Sequence, residues 1–456
     1  MTLLSDSPFT TAEAFAGVTG PGPLAEVAGA GLDVPLVTGG SVRYVNLDYA
    51  ASAPALRAVA DRINELLPLY SSVHRGAGYA SAVCTSAYET ARATVASFTG
   101  ARPGEDTVIF TRNTTDALNL LASALPGPVV HLDIEHHANL LPWQSRGGRV
   151  VGAQPRLDET LDAVRDELAR TPAALLAVTG ASNVTGECLP LAALADLAHS
   201  HGARIAVDGA QLVPHRRVDL TASGVDYLAF SGHKIYAPFG AGVLVGRRDW
   251  LNAAPPYLAG GGAVREVRLD ATDWAPVPAR HEAGTPNVLG AVAVAAACRF
   301  VEALPAGAVE AHEELLADRL VAGLRAIDGV RTLRLWPGEC DRIGVVTFTV
   351  DGWPPRQVAQ YLSAEHGIGV RDGRFCAHPL VARLTADGAA VRASLGLGSR
   401  AGDVDRLVDA LSALRADGPS WTYASAADGY VPLPDPRVLP DWLAGLPVGP
   451  AAPCAS

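Results

Sequence analysis

From residue 106 to residue 245 the apolar positions come in short unbroken runs, rich in valine, isoleucine and leucine. Runs of this kind predict strands buried on both faces, as in a parallel sheet. They cover 106–110, 129–132, 174–178, 204–207, 227–230 and 243–245. Between and before them, apolar residues recur at helical spacing over 54–69, 82–98, 117–124 and 189–201. Strands alternating with helices predict an α/β fold built on a doubly wound, mainly parallel sheet. A further short strand is expected at 44–48. The small residues 50–54 that follow make a turn where a ligand can approach the backbone.

After residue 288 the pattern changes. Two long helices are expected over 290–304 and 309–327. Strands at 344–350, 369–371 and 391–395 then alternate with helices at 355–366 and 403–415, which predicts a smaller α/β unit. The chain thus divides into an arm at 1–43, with a short helix near 23–30, a large domain at 44–297, a small domain at 298–417, and a proline-dense tail at 418–456 that wraps the surface.

In doubly wound sheets, ligands bind outside the carboxyl ends of the strands. Here those ends carry polar clusters: Thr111 to Asp116, Glu135 to Asn139, Ser182-Asn183, Asp208 to Gln211, and Ser231 to Lys234. The threonine-rich start of the helix after Asn113 offers N–H groups, hydroxyls and the positive end of a helix dipole. That is phosphate-binding chemistry, although ordinary helix capping uses the same residues.

Composition narrows the chemistry. A net charge of -11 argues against nucleic acid as a partner. The longest small-apolar run, 288–298, is too short to span a bilayer, so no membrane partner is expected. No secretory signal is expected at the start of the chain. The six cysteines lack zinc spacing, so no metal is expected, and they suit reduced thiols in the cytoplasm. Of the 36 Lys and Arg residues only one is lysine, Lys234. Arginine can replace a surface cation, but it cannot form a Schiff base, because guanidinium holds its proton.

Pyridoxal phosphate fits that amine. Its ring nitrogen needs a carboxylate beside it to stay protonated, and Asp208 is the candidate. An imidazole from His136 or His137 would stack on the ring or carry a proton. Thr114, Thr115, Ser231 and His233 would hold the phosphate.

The stretches 208–211 and 231–234 resemble the class V aminotransferase superfamily of fold-type-I pyridoxal phosphate enzymes, and within it most nearly the cysteine desulfurase and selenocysteine lyase branch. Further matching pieces are Val73-His74-Arg75-Gly76, residues 135–139, Ser182-Asn183-Val184, the glycines at 260–262, residues 282–287 and Val391-Arg392-Ala393-Ser394-Leu395. The resemblance spans about 44 to 415. It implies that Lys234 bonds the cofactor aldehyde, Asp208 pairs with the ring nitrogen, Gln211 contacts the ring oxygen and His136 stacks on the ring. It implies further that Asn183 and Arg392 receive the substrate carboxylate, and that His74 and Arg371 line the substrate mouth. Thr285 would reach the phosphate of a neighbouring subunit, which implies a homodimer.

The loop Arg371 to Leu380 resembles the one that carries the family's persulfide-forming cysteine, here Cys376. A thiolate there would take the sulfur of L-cysteine and leave L-alanine, and the sulfur would pass to an acceptor protein or small molecule. Arg374 would favour the thiolate. A buried structural cysteine is the alternative; the other five are read as structural or incidental. The family's two histidines before the cysteine are replaced by Arg374 and Phe375, and Leu397-Gly398 stand where a tyrosine-asparagine pair is usual. Other class V chemistry on an amino acid, as in an aminotransferase, C–S lyase or epimerase, is the alternative activity. A scaffold that binds the cofactor without turnover is the third reading, and Lys234, Asp208 and Arg392 together argue against it.

Overall fold

In the computed structural model, which describes residues 22–426 and 429–443, the chain builds a seven-stranded and a four-stranded sheet. We number their strands in chain order. The large sheet contains β1 (Asp106–Thr111), β2 (Val129–Leu132), β3 (Arg149–Val151), β4 (Leu175–Thr179), β5 (Arg204–Asp208), β6 (Tyr227–Ser231) and β7 (Gly242–Arg247). Its order is β1-β7-β6-β5-β4-β2-β3. β2 to β6 pair in parallel, whereas β7 runs against both of its neighbours, β1 and β6.

The apolar runs are strands because both faces are covered. Helices Tyr79–Phe98 and Val288–Ala303 pack on each other and join the core on one face; helix Thr114–Ala124 buries Leu118, Leu120 and Leu121 in the core on the other. The expected strands form within one or two residues of their predicted bounds. β3 was not expected, since three residues at a sheet edge give no legible run.

The carboxyl ends of β1 and β6 meet at Gly242, which pairs with both Thr111 and Ser231. A Cβ on Gly242 would stand 2.5 Å from Asn113 Cα. Only glycine lets the turn after β1 close on the turn after β6, and that contact brings Thr114 to Ser231.

The second sheet contains β8 (Val330–Thr332), β9 (Val345–Val350), β10 (Arg371–Gly373) and β11 (Ala390–Ser394), in the antiparallel order β8-β9-β11-β10. The strand expected at 369–371 is two pieces. Ile368–Gly369 leaves this sheet and pairs in parallel with Val45–Asn46. That pairing carries Val45 and Leu47 into the second core, with Phe348, Val391 and Leu395. Asp48 is thereby left at the edge of the site.

The expected helix at 23–30 does not form. Leu24 and Ala25 instead donate their N–H groups to the carbonyl of Leu397, and Val27 bridges Leu56. Residues 1–21 lie outside the described residues. In the tail, Tyr423–Ala426 and Gly429–Pro432 form a hairpin on helix Pro355–His366. It is fastened at the buried Glu365. That carboxylate accepts from the backbone N–H groups of Ser420 (2.9 Å) and Trp421 (3.3 Å), from the Tyr423 hydroxyl (2.9 Å) and from the Ser420 hydroxyl. Among the described residues no single helix is long and apolar enough to cross a membrane.

Candidate active site

The site lies where the carboxyl ends of the large sheet face the second sheet. Asp208 closes β5, is 4% exposed, and accepts from the Ala210 N–H at 3.0 Å. Burial pushes its carboxyl up; the Ala210 N–H and Lys234 oppose that rise. Lys234 lies in the turn after β6, its N–H donating to the Ser231 carbonyl at 3.3 Å. Burial brings its amine down to about 8; Asp208 pulls it up and Arg392 pushes it down further. His136 follows β2. Its Nδ1 accepts from the Ala138 N–H at 3.0 Å, which leaves the ring proton on Nε2. Burial, then Lys234, hold it at about 3, so the imidazole is neutral.

Thr114 donates its N–H to Ser231 Oγ at 2.8 Å, and their hydroxyls lie 2.6 Å apart. Thr115 is exposed in the same first turn, capped by Asn113, which accepts from the Asp116 N–H at 2.9 Å. The His233 ring is held neutral by burial, then by Lys234, at about 4. Hydroxyls, backbone N–H groups and a helix start therefore converge beside Lys234, which is the donor set an anion needs. Gln211 donates to the Ala50 carbonyl at 2.7 Å, tying β5 to the small-residue turn at 50–54.

Arg392, on β11, is 3% exposed. Its Nη1 donates to the Asn183 carbonyl at 2.9 Å and its Nη2 to Asp48 at 3.2 Å, while Nε is buried with no partner. An unmet guanidinium donor at this depth is a costly group that an incoming carboxylate would satisfy. Arg371 approaches Asp48 at 4.0 Å from the exposed rim.

Cys376 is part-exposed, in a tight turn. The Ala377 N–H donates to the Arg374 carbonyl at 3.0 Å, and both central residues are left-handed: Phe375 at φ 53° and Cys376 at φ 52°. That is the geometry of a mirror-image turn, normally filled by glycine or asparagine. Each such residue costs roughly 1–2 kcal/mol, so the surroundings must hold it. Asn183 Nδ2 donates to the Phe375 carbonyl at 2.7 Å, the His137 N–H donates to the Cys376 carbonyl at 2.8 Å, and the Phe375 ring lies 5.1 Å from the Arg392 guanidinium carbon. Cys376 is among the charges acting on both Lys234 and Arg392. Burial pushes the thiols of Cys188 and Cys340 up to about 12 and about 11, and that of Cys298 higher still. Cys84 is buried, and Cys454 lies outside the described residues.

Lys234, Asp208, His136, Arg392, Asn183 and Cys376 are thus brought together. A model of the class-V aminotransferases matches residues 45–407. The chain belongs to that family. It is 42% identical over 383 residues to a cysteine desulfurase of Dickeya dadantii, covering 80% of this chain and 90% of that one. It is 38% identical to a cysteine desulfurase of Haloferax volcanii over 81% and 89% of the two chains. The crystal structure of an Escherichia coli cysteine desulfurase in an S-sulfonic acid form matches with a TM-score of 0.71 at 34% identity, over 81% of this chain and 94% of that one. The apo structure of the Thermococcus onnurineus enzyme matches at 0.75 and 32%, over 82% and 94%.

Three expected residues stand apart in this class-V chain. His74 turns to Glu89, at 2.9 Å, and packs edge-on against Tyr88. Thr285 is exposed, with no described contact to the Lys234 group, and Arg371 reaches only its rim. Sequence reading missed Asp48 and Glu135. Asp48 ends a short strand in polar residues, the same signal that found Asp208. Glu135 is fully enclosed. It accepts from the Thr179 N–H at 3.1 Å and from Asn139 at 2.7 Å, and burial first, then Asp208 and Asp133, raise its pKa well above the usual carboxyl range. It pins the segment that carries His136 to the end of β4.

Proposed function

We propose that this chain is a pyridoxal phosphate-dependent cysteine desulfurase, converting L-cysteine to L-alanine with a persulfide on Cys376. The observation that carries the reading is the convergence of a lone, buried, deprotonable lysine, a buried aspartate and a cysteine turn on one unsatisfied arginine. Bound pyridoxal phosphate supplies an electron sink for charge developing at the substrate's α-carbon. Lys234 would hold the cofactor by its aldehyde, and its amine, brought down to about 8 by burial, is suited to move a proton at the substrate's α-carbon. Asp208 would keep the proton on the ring nitrogen, the neutral His136 ring would stack on the cofactor, and Gln211 would contact the ring oxygen. Thr114, Thr115, Ser231 and His233 hold the phosphate. Asn183 and Arg392 take the substrate carboxylate, with His74 and Arg371 at the mouth. The Cys376 thiolate attacks the substrate sulfur: an S–S bond forms, the C–S bond breaks, and its electron pair takes a proton to become the methyl group of alanine.

Thr285 is assigned to the phosphate of a neighbouring subunit, which makes the working unit a homodimer. An acceptor protein or small molecule takes the sulfur. Four described thiols, at Cys84, Cys188, Cys298 and Cys340, suit the reducing cytoplasm.

The test is product analysis. The purified protein, loaded with pyridoxal phosphate and given L-cysteine with a reductant, is expected to release alanine and sulfide in equal amounts. Pyruvate and ammonia instead would identify a β-lyase; a requirement for a keto acid, a transaminase. A pH series adds a second expectation. With its amine at about 8, Lys234 is neutral in about one molecule in ten at pH 7, against about one in three thousand for an ordinary lysine. The folded state has given up this proton where the unfolded chain still binds it. Cofactor loading of the apoprotein should therefore rise about tenfold from pH 6 to 7, level off above about 8, and not climb on toward 10. Loading that still rises steeply at pH 10 would show an unperturbed amine.

A further inference from the structure

The turn that carries Cys376 is fastened by the same two residues assigned to the substrate carboxylate. Asn183 spends its side-chain N–H on the Phe375 carbonyl, and its own carbonyl accepts from Arg392. The Phe375 ring, 8% exposed, lies against the Arg392 guanidinium, whose positive charge attracts the ring face. The buried Nε of Arg392 has no partner.

We propose that the substrate carboxylate unlatches the Cys376 turn, with Phe375 as the positioning residue that senses Arg392. The inference rests on the carboxylate assignment of Asn183 and Arg392. A carboxylate arriving at Arg392 Nε neutralises the charge beneath the ring and competes for the Asn183 amide. Two of the described restraints on a pair of strained left-handed residues weaken together, while the His137 N–H stays on the Cys376 carbonyl and the bond that closes the turn is left to carry more of the strain. The turn then moves its thiol when a carboxylate-bearing substrate is in place and not before. A resting site keeps its nucleophile withheld from stray disulfides and electrophiles.

The experiment is amide hydrogen exchange on the holoenzyme with and without L-alanine, which has the carboxylate and amine of the substrate and no sulfur to lose. Binding is followed separately by the change in cofactor absorbance. In the wild type, saturating L-alanine is expected to speed exchange at the Ala377 amide, the closing bond of the turn, by about fivefold, the weight of one hydrogen bond. Phe375→Leu keeps apolar bulk and removes the ring. It should raise the resting rate and shrink the response to alanine. Asn183→Ala should exchange at the fast rate from the outset, with unchanged melting temperature and circular dichroism as the control for folding. Exchange at Ala377 that is unchanged or slowed while absorbance reports bound alanine overturns the latch and leaves the carboxylate assignment standing. No absorbance change at any alanine concentration refutes the carboxylate assignment and the latch with it. A Phe375→Leu response equal to wild type removes Phe375 from the device.

Discussion

Lys234→Ala is expected to lower alanine formation from L-cysteine by at least about a thousandfold. The size follows from what a single amine does in this site. It attaches the cofactor, and its charge acts on both Asp208 and His136. The chain holds no second lysine to substitute for it. His136 and His233 are neutral and could accept a proton, but imidazole forms no stable imine. Lys234→Arg should be no better than alanine, since guanidinium neither loses its proton nor attacks a carbonyl. The measurement is twofold. Borohydride reduction of the loaded wild type should fix one cofactor on the peptide containing residue 234, and that label should vanish in both variants. Full turnover by either variant, or a label on another peptide, would rule out Lys234 as the cofactor's anchor.

The second large effect belongs to Cys376→Ala. Alanine production should fall by at least about a hundredfold, while the cofactor spectrum and its change on adding L-cysteine persist. The split separates transfer of sulfur from binding of substrate. The carbon–sulfur bond of cysteine breaks in this direction only if a nucleophile takes the sulfur, and Cys376 is the thiol placed among the charges acting on Lys234 and Arg392. Three other thiols do not compete: burial keeps Cys188, Cys298 and Cys340 protonated. Alanine keeps a Cβ at the left-handed position, so the turn should be no more strained than before. Wild-type rates from this variant, with alanine still the product, would assign the sulfur transfer elsewhere.

The strand ends were legible because an apolar run buried on both faces has no reason to stop in Asp-Gly-Ala-Gln or Ser-Gly-His-Lys unless something polar binds there. That signal located Asp208, Ser231 and Lys234, and it would have located Asp48. The direction of β7 was not legible, since a buried run reads alike whichever way it points. The partners of Arg392 were hidden for another reason. Asp48 and Asn183 lie 344 and 209 positions away in sequence, and only the crossing of two sheets joins them. Phe375 read as a departure from a family pattern; its ring over a guanidinium exists only in three dimensions. The helix expected at 23–30 failed because the Ala28 N–H, which a helix would have given to the Leu24 carbonyl, goes to the Ala55 carbonyl instead, beside the bridge of Val27 to Leu56.

The tail hairpin bears on how such a chain can be cut. The matched span ends at residue 407, inside helix Ala401–Asp417 and before the groups that Glu365 receives. A recombinant version trimmed to that span would sever the helix and strip an 8% exposed acid of all four donors at once. Homology marks one frontier for this molecule and solvation another, and a cloning boundary that respects both lies beyond Pro432.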